Sequence, residues 1–397
     1  MQNRFGLFVH FGLYAALGYH EQALARLDLD HAEYERLADR FSPLVGTPEQ
    51  WVLLAKRAGM KYICFTAKHH DGFCLWDTKT TAYNVMHTPC GRDLLAELAA
   101  ACRSHGVALS IYYSNPDWHH PNAYNHLSSH QWKSKSPESA DREAYLAYVK
   151  AQITELLSGY GEIYSLFWDI PPMFEDRSLN ALVRRLQPGI LVNDRGYDEG
   201  DFSTPERTIP QGSRFTRMTE ACQSVGAQSW GYRENEDYFS TRDLISSIDH
   251  VMAMGGSYLL NVGPMPNGEI PADAAEIVER IGDWYRRTEG VLEENEADPF
   301  SYALAVDDRY DAFVKNGKTY LHFYAGLSCR TLTFLSAPGC PRSARLQNDG
   351  RSLGLRYACL PRPFDSETGR ETGPLVSITD IPVDDYPSEP IMIEIEW

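Results

Sequence analysis

The chain has 397 residues, which is enough for one large domain and a smaller one. Its apolar content of 43% and charged content of 23% are those of an ordinary globular protein. The formal net charge of -17 argues against nucleic acid or an anionic membrane surface as a partner, because both attract basic faces. No run of 18 apolar residues occurs, so no membrane-spanning segment is expected.

The cysteines indicate a reducing compartment. None of the eight forms a CxxC pair, and they are read as free, mostly buried thiols: Cys64, Cys74, Cys90, Cys102, Cys222, Cys329, Cys340 and Cys359. The N-terminal residues lack the basic and apolar regions of a secretory signal. The sequence therefore predicts a cytoplasmic protein, and it leaves open whether the chain forms a homo-oligomer.

Strands and helices alternate along the chain as far as residue 288. Strands are predicted at 5–12, 62–66, 107–113, 163–168, 190–193 and 258–262. Helices are predicted at 31–41, 47–59, 92–105, 141–158, 179–186, 241–254 and 272–288, and 194–228 reads as irregular. This alternation predicts a parallel sheet and, over about 290 residues, a (β/α)8-like barrel of the TIM type. Six strands are recognisable, which leaves an irregular barrel open.

The sequence pattern changes after about Asn295. Short runs of strand-forming residues at 310–315, 320–324, 332–335 and 391–397 are separated by Gly, Asn and Pro. Helical periodicity disappears, which predicts a C-terminal β-sandwich. We therefore predict two domains, a catalytic barrel at 1–295 and a sandwich at 296–397.

One buried strand ends in a carboxylate. The run from Ile163 to Trp168 is mostly apolar, and Asp169 follows it, with Pro171 and Pro172 stopping the ladder. In a barrel the C-terminal strand ends carry the chemistry. A lone carboxylate at such a place can also be a helix N-cap or a turn residue. The choice between these readings and a catalytic role for Asp169 depends on the residues in the other loops.

Polar and aromatic side chains follow several of the predicted strands. His10 ends the first strand, His69 and His70 follow the second, and Glu220 precedes Trp230 in the irregular segment. Such groups converge on a polar pocket with stacking walls. Adjacent histidines on extended chain point to opposite faces, and no metal, nucleotide or serine-hydrolase motif is present, so neither metal nor cofactor is predicted. A carboxylate pair remains, as glycoside hydrolysis requires.

Several ordered motifs carry a resemblance to a known family. They are RFGLFVHFG, YICFTAKHHDGFCLWDTKTTAYNV, IYYSNPDWHHP, LVNDRG, GDFSTPE, SWGY and GGSYLLNVGPMPNGEIP. With these motifs the chain resembles the α-L-fucosidases of glycoside hydrolase family 29. The resemblance runs from about Arg4 to Pro271 and is weaker in the C-terminal sandwich.

The resemblance implies a retaining exo-glycosidase that releases α-L-fucose from fucosylated oligosaccharides or glycoconjugates. It implies that Asp169 is the nucleophile and Glu220 the acid/base, with Glu206 as the rival for the second role. The positions that match the family's contacts to sugar hydroxyls are His10, Glu21, His69 and His70. The walls of the pocket are expected to be Trp76, Tyr112 and Trp230. The partner implied is a small oligosaccharide or glycoside substrate.

The chain departs from the family pattern at positions expected near the pocket. Phe11, Gln22 and Thr219 stand where the family usually has Trp, and Ile170 stands where it usually has Gly. Two other functions therefore stay open. One is a glycosidase for a related sugar such as an α-L-galactoside, and the other is a sugar-binding homologue that has lost turnover.

Overall fold

The computed structural model describes residues 3–123, 130, 132–137, 139–172, 175–207, 214–300, 302–304, 309–336, 339–358 and 375–397. Contacts divide the chain into two units. The first comprises Met1–Thr208, Arg217–Phe239 and Ser257–Gly282, and the second Ile209–Thr216, Ser240–Gly256 and Asp283–Trp397. The domain boundary after residue 295 stays a prediction.

Seven parallel strands form the sheet of the first unit. They are β1 (Phe5–Val9), β2 (Tyr62–Lys68), β3 (Ala108–Ser114), β4 (Ser165–Asp169), β5 (Leu191–Val192), β6 (Glu220–Ser224) and β7 (Ser257–Val262). Their order is β5-β4-β3-β2-β1-β7-β6. Every residue of β1, β2 and β7 is buried, as expected of strands covered on both faces.

An extended segment closes the gap between β5 and β6. Phe202 bridges to Asn193 just after β5, and Ser203 and Glu206 bridge to Thr219 and Cys222, all in parallel. The sheet thus curls into a barrel, which confirms the predicted fold class. The prediction that 194–228 is irregular was wrong for β6. That strand reads EACQS and lacks the apolar run or β-branched residues by which strands are recognised.

Eight α-helices are present in the described residues, and several of them begin at a residue whose side chain caps the first turn. They are α1 (Ala23–Arg26), α2 (His31–Glu35), α3 (Thr47–Arg57), α4 (Leu94–His105), α5 (Arg142–Gly159), α6 (Arg177–Leu186), α7 (Thr241–Ala253) and α8 (Ala272–Leu292). Short 3-10 helices span Leu13–Leu17, Arg36–Arg40 and Val85–His87. Asp93, Asp141, Asp176 and Ser240 accept hydrogen bonds from first-turn backbone N–H groups, which sets the start of α4 to α7. None of the helices in the described residues is long and apolar enough to cross a membrane.

Alternate side chains of the strands fill the barrel. Phe8, Cys64, Tyr112, Phe167 and Cys222 belong to one interior cluster. Because side chains alternate along a strand, the residues two positions further along β1 and β4 lie above this layer, at the C-terminal strand ends. Those residues are His10 and Asp169, and the layer beneath them is the floor of the site.

The second unit contains two antiparallel sheets. One has the order β13 (Ser343–Leu346), β16 (Ile391–Glu396), β11 (Lys318–Phe323), β10 (Asp311–Lys315) and β8 (Glu296–Ala297). The other has the order β14 (Gly354–Ala358), β15 (Leu375–Thr379), β12 (Leu332–Ser336) and β9 (Ala303–Leu304). Residues of both sheets, including Leu321, Phe334, Ile378 and Ile393, share one core, which confirms the predicted β-sandwich.

The cysteines in the described part of the chain are unpaired. Seven are free there, and five of these are buried: Cys64, Cys74, Cys90, Cys102 and Cys222. Cys359 lies outside the described residues.

Candidate active site

A pocket of about 500 Å³, its open mouth included, lies at the C-terminal ends of the barrel strands. This is where a barrel of this type places its chemistry. The residues that line it come from the ends of different strands and from the loops that follow. They are Phe8, His10, Glu21, Gln22, His69, His70, Tyr112, His130, Phe167, Asp169, Ile170, Arg195, Glu206, Cys222 and Trp230.

Asp169 is the last residue of β4 and carries its carboxylate into this pocket. The Tyr112 hydroxyl donates a hydrogen bond of 2.7 Å to Oδ2, and Arg195 Nη1 donates one of 3.1 Å to Oδ1. His70 Nε2 lies 3.9 Å from Oδ2. Burial by itself raises the pKa of Asp169, but the Arg195 charge, His70 and the two hydrogen bonds outweigh it and lower that pKa. The carboxylate is therefore ionised at neutral pH.

Arg195 joins Asp169 to a second carboxylate. Its Nη1 also donates to Glu206 Oε2 at 2.7 Å, while its Nε and Nη2 donate to Thr204 and hold the guanidinium in place. Because one nitrogen bonds both carboxylates, the two oxygens lie at most about 6 Å apart, near the spacing of about 5–5.5 Å in retaining glycosidases. The Glu206 side chain is 38% exposed against 13% for Asp169, so it sits at the mouth.

Two histidines present the same tautomer to the pocket. His10 Nδ1 lies 2.6 Å from Asn261 Oδ1 and therefore donates to it. His70 Nδ1 donates to Ser114 Oγ at 2.7 Å, since that hydroxyl donates onward to a backbone carbonyl. Burial lowers the pKa of each histidine to about 4, so both rings are neutral. Each Nε2 is then an acceptor for a hydroxyl group.

His69 lies between them and stacks on Tyr112, with ring centroids 5.5 Å apart and planes at 6°. Its Nδ1 is buried and has no hydrogen-bond partner among the described residues. Burial lowers the pKa of His69 well below its ordinary value, so this ring is also neutral. His69 therefore lines the pocket with a neutral ring whose Nδ1 is a buried, unsatisfied polar atom.

Glu21 holds one wall of the pocket. Its Oε2 accepts hydrogen bonds of 2.9 Å from both Ser229 Oγ and the Trp230 backbone N–H. These bonds fix the SWGY loop, and the Trp230 ring lies 5.4 Å from the His10 ring. Burial alone raises the pKa of Glu21, but His20, His10 and the backbone hydrogen bonds lower it overall. Glu21 is thus an ionised anchor of Trp230.

Comparison with known proteins gives a consistent result. The tissue alpha-L-fucosidase of Rattus norvegicus is 28% identical over 316 residues, which are 71% of this chain and 66% of the relative. Alpha-L-fucosidase isoenzyme 1 from Paenibacillus thiaminolyticus has a similar structure, with 29% identity and a TM-score of 0.84, covering 100% of this chain and 97% of that one. An alpha-L-fucosidase from Lactobacillus casei, in complex with alpha-L-fucose product, has 30% identity and a TM-score of 0.66, covering 73% and 98%.

A sequence profile of the family described as alpha-L-fucosidase matches residues 1–289. The chain belongs to the α-L-fucosidase family. The match includes every strand of the barrel and confirms the predicted resemblance, together with the assignment to glycoside hydrolases. The chain spans about two thirds of the length of the rat relative, 66%.

Within this α-L-fucosidase family member, Glu220 lies away from the pocket. It is the first residue of β6, it is 1% exposed, and its carboxylate accepts a hydrogen bond from the Tyr62 hydroxyl. Cys222 lines the pocket two residues further on, which puts Glu220 about 7 Å deeper along the strand. The prediction that Glu220 shares the pocket with Asp169 is therefore wrong, because Glu220 opens its strand and Asp169 closes one.

Burial raises the pKa of Glu220 to about 7. The Tyr62 ring that reaches it lies across Gly6, where any side chain would collide with the ring. Glu220 and Tyr62 thus form a packed polar pair at the N-terminal end of the barrel, a place that reads as structural in this fold.

Trp76 is also outside the pocket, contrary to prediction. Its Nε1 donates to Glu155 on α5 at 3.0 Å, and the side chain is fully buried. The remaining site predictions, Asp169, His10, Glu21, His69, His70, Tyr112 and Trp230, all line the pocket. Among the departures from the family pattern, Gln22 and Ile170 line it, whereas Phe11 packs on Phe41 and Trp51.

Sequence reasoning missed Arg195 and His130. Arg195 follows β5 by three residues, so the strand-end rule that found Asp169 could also have found it. His130 lies in a stretch without periodicity, and its ring is 5.4 Å from that of His70. Nothing in the sequence around His130 indicates that it reaches the pocket. Among the described residues, no group of three or more His, Cys, Asp or Glu is placed to hold a metal ion.

Proposed function

We propose that this protein is a retaining exo-glycoside hydrolase that releases α-L-fucose from fucosylated oligosaccharides or glycoconjugates. One observation carries the proposal. Asp169 and Glu206 are bound to the same Arg195 nitrogen in a pocket whose histidines are neutral acceptors. An ionised carboxylate, a second carboxylate close to it and hydroxyl acceptors are what this reaction needs.

In the proposed mechanism Asp169 attacks C1 of the fucoside. The bond from C1 to the glycosidic oxygen breaks, and Glu206, as the general acid, gives a proton to that oxygen. Water then attacks C1 of the glycosyl-enzyme while Glu206 takes a proton from it, and the Asp169 carboxylate leaves. Tyr112 holds Oδ2 of Asp169 at 2.7 Å, which keeps the nucleophile oriented.

The sugar pocket combines acceptors with an apolar wall. The Nε2 atoms of His10 and His70 suit the hydroxyls of a sugar, and the rings of Phe8, Phe167 and Trp230 suit an apolar face or a methyl group. Fucose carries such a methyl group. The alternative of an α-L-galactoside rested partly on Phe11, which packs away from the pocket, so no observation favours it. The Lactobacillus casei relative, in complex with α-L-fucose product, supports the choice of fucose.

The test uses 4-nitrophenyl α-L-fucoside and the configuration of the first product, read by proton NMR. We expect α-L-fucose before mutarotation. With azide, Glu206→Ala should form α-L-fucosyl azide, because azide attacks the glycosyl-enzyme. Asp169→Ala should form the β-azide by direct displacement. Glu220→Ala with azide is the control and should yield no azide adduct.

An inverted first product from the wild type would reject the retaining mechanism. Azide rescue of Glu220→Ala, with none for Glu206→Ala, would return the acid/base role to Glu220.

We also propose a cytoplasmic location, since the described cysteines are unpaired as in a reducing compartment. Cell fractionation tests it.

A further inference from the structure

Ile170, the residue after Asp169, has an unusual backbone conformation. Its φ is 55°, in the left-handed region that β-branched residues avoid. Pro171 follows it and favours an extended conformation for the preceding residue. The other non-glycine residues with positive φ in the described part of the chain are all polar: Asp28, Arg207, Asn235, Glu294, Asn316 and Asp380. Ile170 thus adopts a backbone conformation that its own β-branched side chain disfavours.

The neighbouring Asn115 holds this conformation. Its backbone N–H donates to the Asp169 carbonyl at 3.0 Å, and its side-chain amide donates to the Ile170 carbonyl at 3.0 Å. The peptide units on both sides of Ile170's Cα are therefore determined by a buried partner. Strain kept in this way, next to a proposed nucleophile, points to a use for the side chain in the pocket.

The same amide locates Ile170 within the pocket. Asn115 Nδ2 also donates to the Arg195 carbonyl at 3.2 Å, so the backbones of Ile170 and Arg195 are adjacent. Arg195 in turn bonds Glu206. An acid/base residue must lie beside the glycosidic oxygen, and Ile170 is therefore on the leaving-group flank of the pocket. Of the proposed sugar-binding residues, His10 follows β1, which β2 and β3 separate from β4 in the sheet.

We propose that Ile170 is the apolar wall of the leaving-group subsite. The leaving group it selects presents an apolar face, either an aryl aglycone or the apolar face of a sugar ring. Ile170 is half-buried and lines the pocket, so a flat group leaving toward Glu206 would lie against it. This inference rests on the proposed function, with Glu206 as acid/base.

The experiment compares two substrates that share the fucosyl group. The leaving group of 4-nitrophenyl α-L-fucoside has a face to bind, whereas that of α-L-fucosyl fluoride has none. We expect Ile170→Asn to lower the ratio of kcat/KM for the aryl substrate to that for the fluoride by about tenfold. Asparagine tolerates the left-handed conformation, so this variant removes the apolar surface and keeps the backbone. Ile170→Gly should lower the ratio to a similar extent.

Val45→Asn is the matched control, because this apolar side chain is 83% exposed in a loop and does not line the pocket. Its ratio should equal that of the wild type. An unchanged ratio in both Ile170 variants would overturn the inference. So would an equal loss on both substrates, because Ile170 would then act only through the backbone of Asp169. If Ile170→Asn fails to fold, Ile170→Gly decides. A wild type inactive on both substrates would reject the proposed function instead.

Discussion

Asp169 and Glu220 are acidic residues of one barrel, at opposite ends of their strands. Burial acts on both, yet the pKa of Asp169 is lowered and that of Glu220 is raised to about 7. Asp169 has the Arg195 charge beside it, whereas Glu220 is bonded by the Tyr62 hydroxyl and its pKa is dominated by burial. The comparison teaches that burial alone does not set the charge of a carboxylate: Asp169, the proposed nucleophile, has a cation beside it and lines the pocket, whereas Glu220 does not line it.

The largest expected effect comes from removing the carboxylate of Asp169 and comparing the loss of activity with that of the same change at Glu220. Asp169→Asn should lower kcat for 4-nitrophenyl α-L-fucoside by at least about 10⁴-fold, because the amide cannot form the glycosyl-enzyme. Glu220→Gln makes the same chemical change at the other end and should stay within about threefold of the wild type. Equal losses in the two variants would mean that both carboxylates take part in the reaction.

Removing the cation should come next. Arg195→Met takes away the charge that lowers the pKa of Asp169, so that pKa rises. The acid limb of the kcat/KM profile should then move to higher pH by about one unit, with a loss of about 10- to 100-fold. Arg184→Met is the control, since Arg184 pairs with Asp201 and does not line the pocket. An acid limb that stays in place would contradict the role given to Arg195.

A matched pair of tyrosines sharpens the comparison further. Tyr112 donates to Asp169 as Tyr62 donates to Glu220. Tyr112→Phe should lower kcat/KM about tenfold, because Asp169, the proposed nucleophile, loses a hydrogen bond that orients it. Tyr62→Phe should leave kcat/KM nearly unchanged and cost about 1 kcal/mol of unfolding free energy. Steady-state kinetics and urea unfolding of both variants provide the measurements, and reversed effects would overturn the assignment.

The smallest effect concerns stability alone. The pKa of Glu220 is raised in the folded state, so the folded protein binds more protons than the unfolded chain between pH about 4.5 and about 7. Stability from this group is therefore greatest below that window and is lost as pH rises through it. Glu220→Gln should be more stable than the wild type by about 1–3 kcal/mol at pH 8, with little difference at pH 4.5. Urea unfolding at both values checks the sign, and a constant difference would contradict it.

The sequence predicted most strands of the barrel because a strand buried on both faces is a continuous apolar run, as in Ile163 to Trp168. It missed β6, since Glu220–Ser224 contains few apolar residues and gains its strand conformation by pairing with β7. Asp169 and the histidines could be found because polar residues after apolar strands are conspicuous. Trp76 could not be judged, because its partner Glu155 lies on a helix distant in sequence.

The chain by itself determined the family, the barrel followed by a sandwich, and Asp169 as the residue that ends a buried strand. These depend on local patterns and ordered motifs, which a sequence displays directly. Only the tertiary structure shows that Glu206, and not Glu220, lines the pocket with Asp169. Whether a carboxylate faces the pocket depends on the end of the strand at which it lies, on the register of β6 against β7 and on Arg195, none of which can be read from residue order. The backbone conformation of Ile170 likewise depends on tertiary structure, because Asn115, 55 residues away in sequence, donates a hydrogen bond to the Ile170 carbonyl.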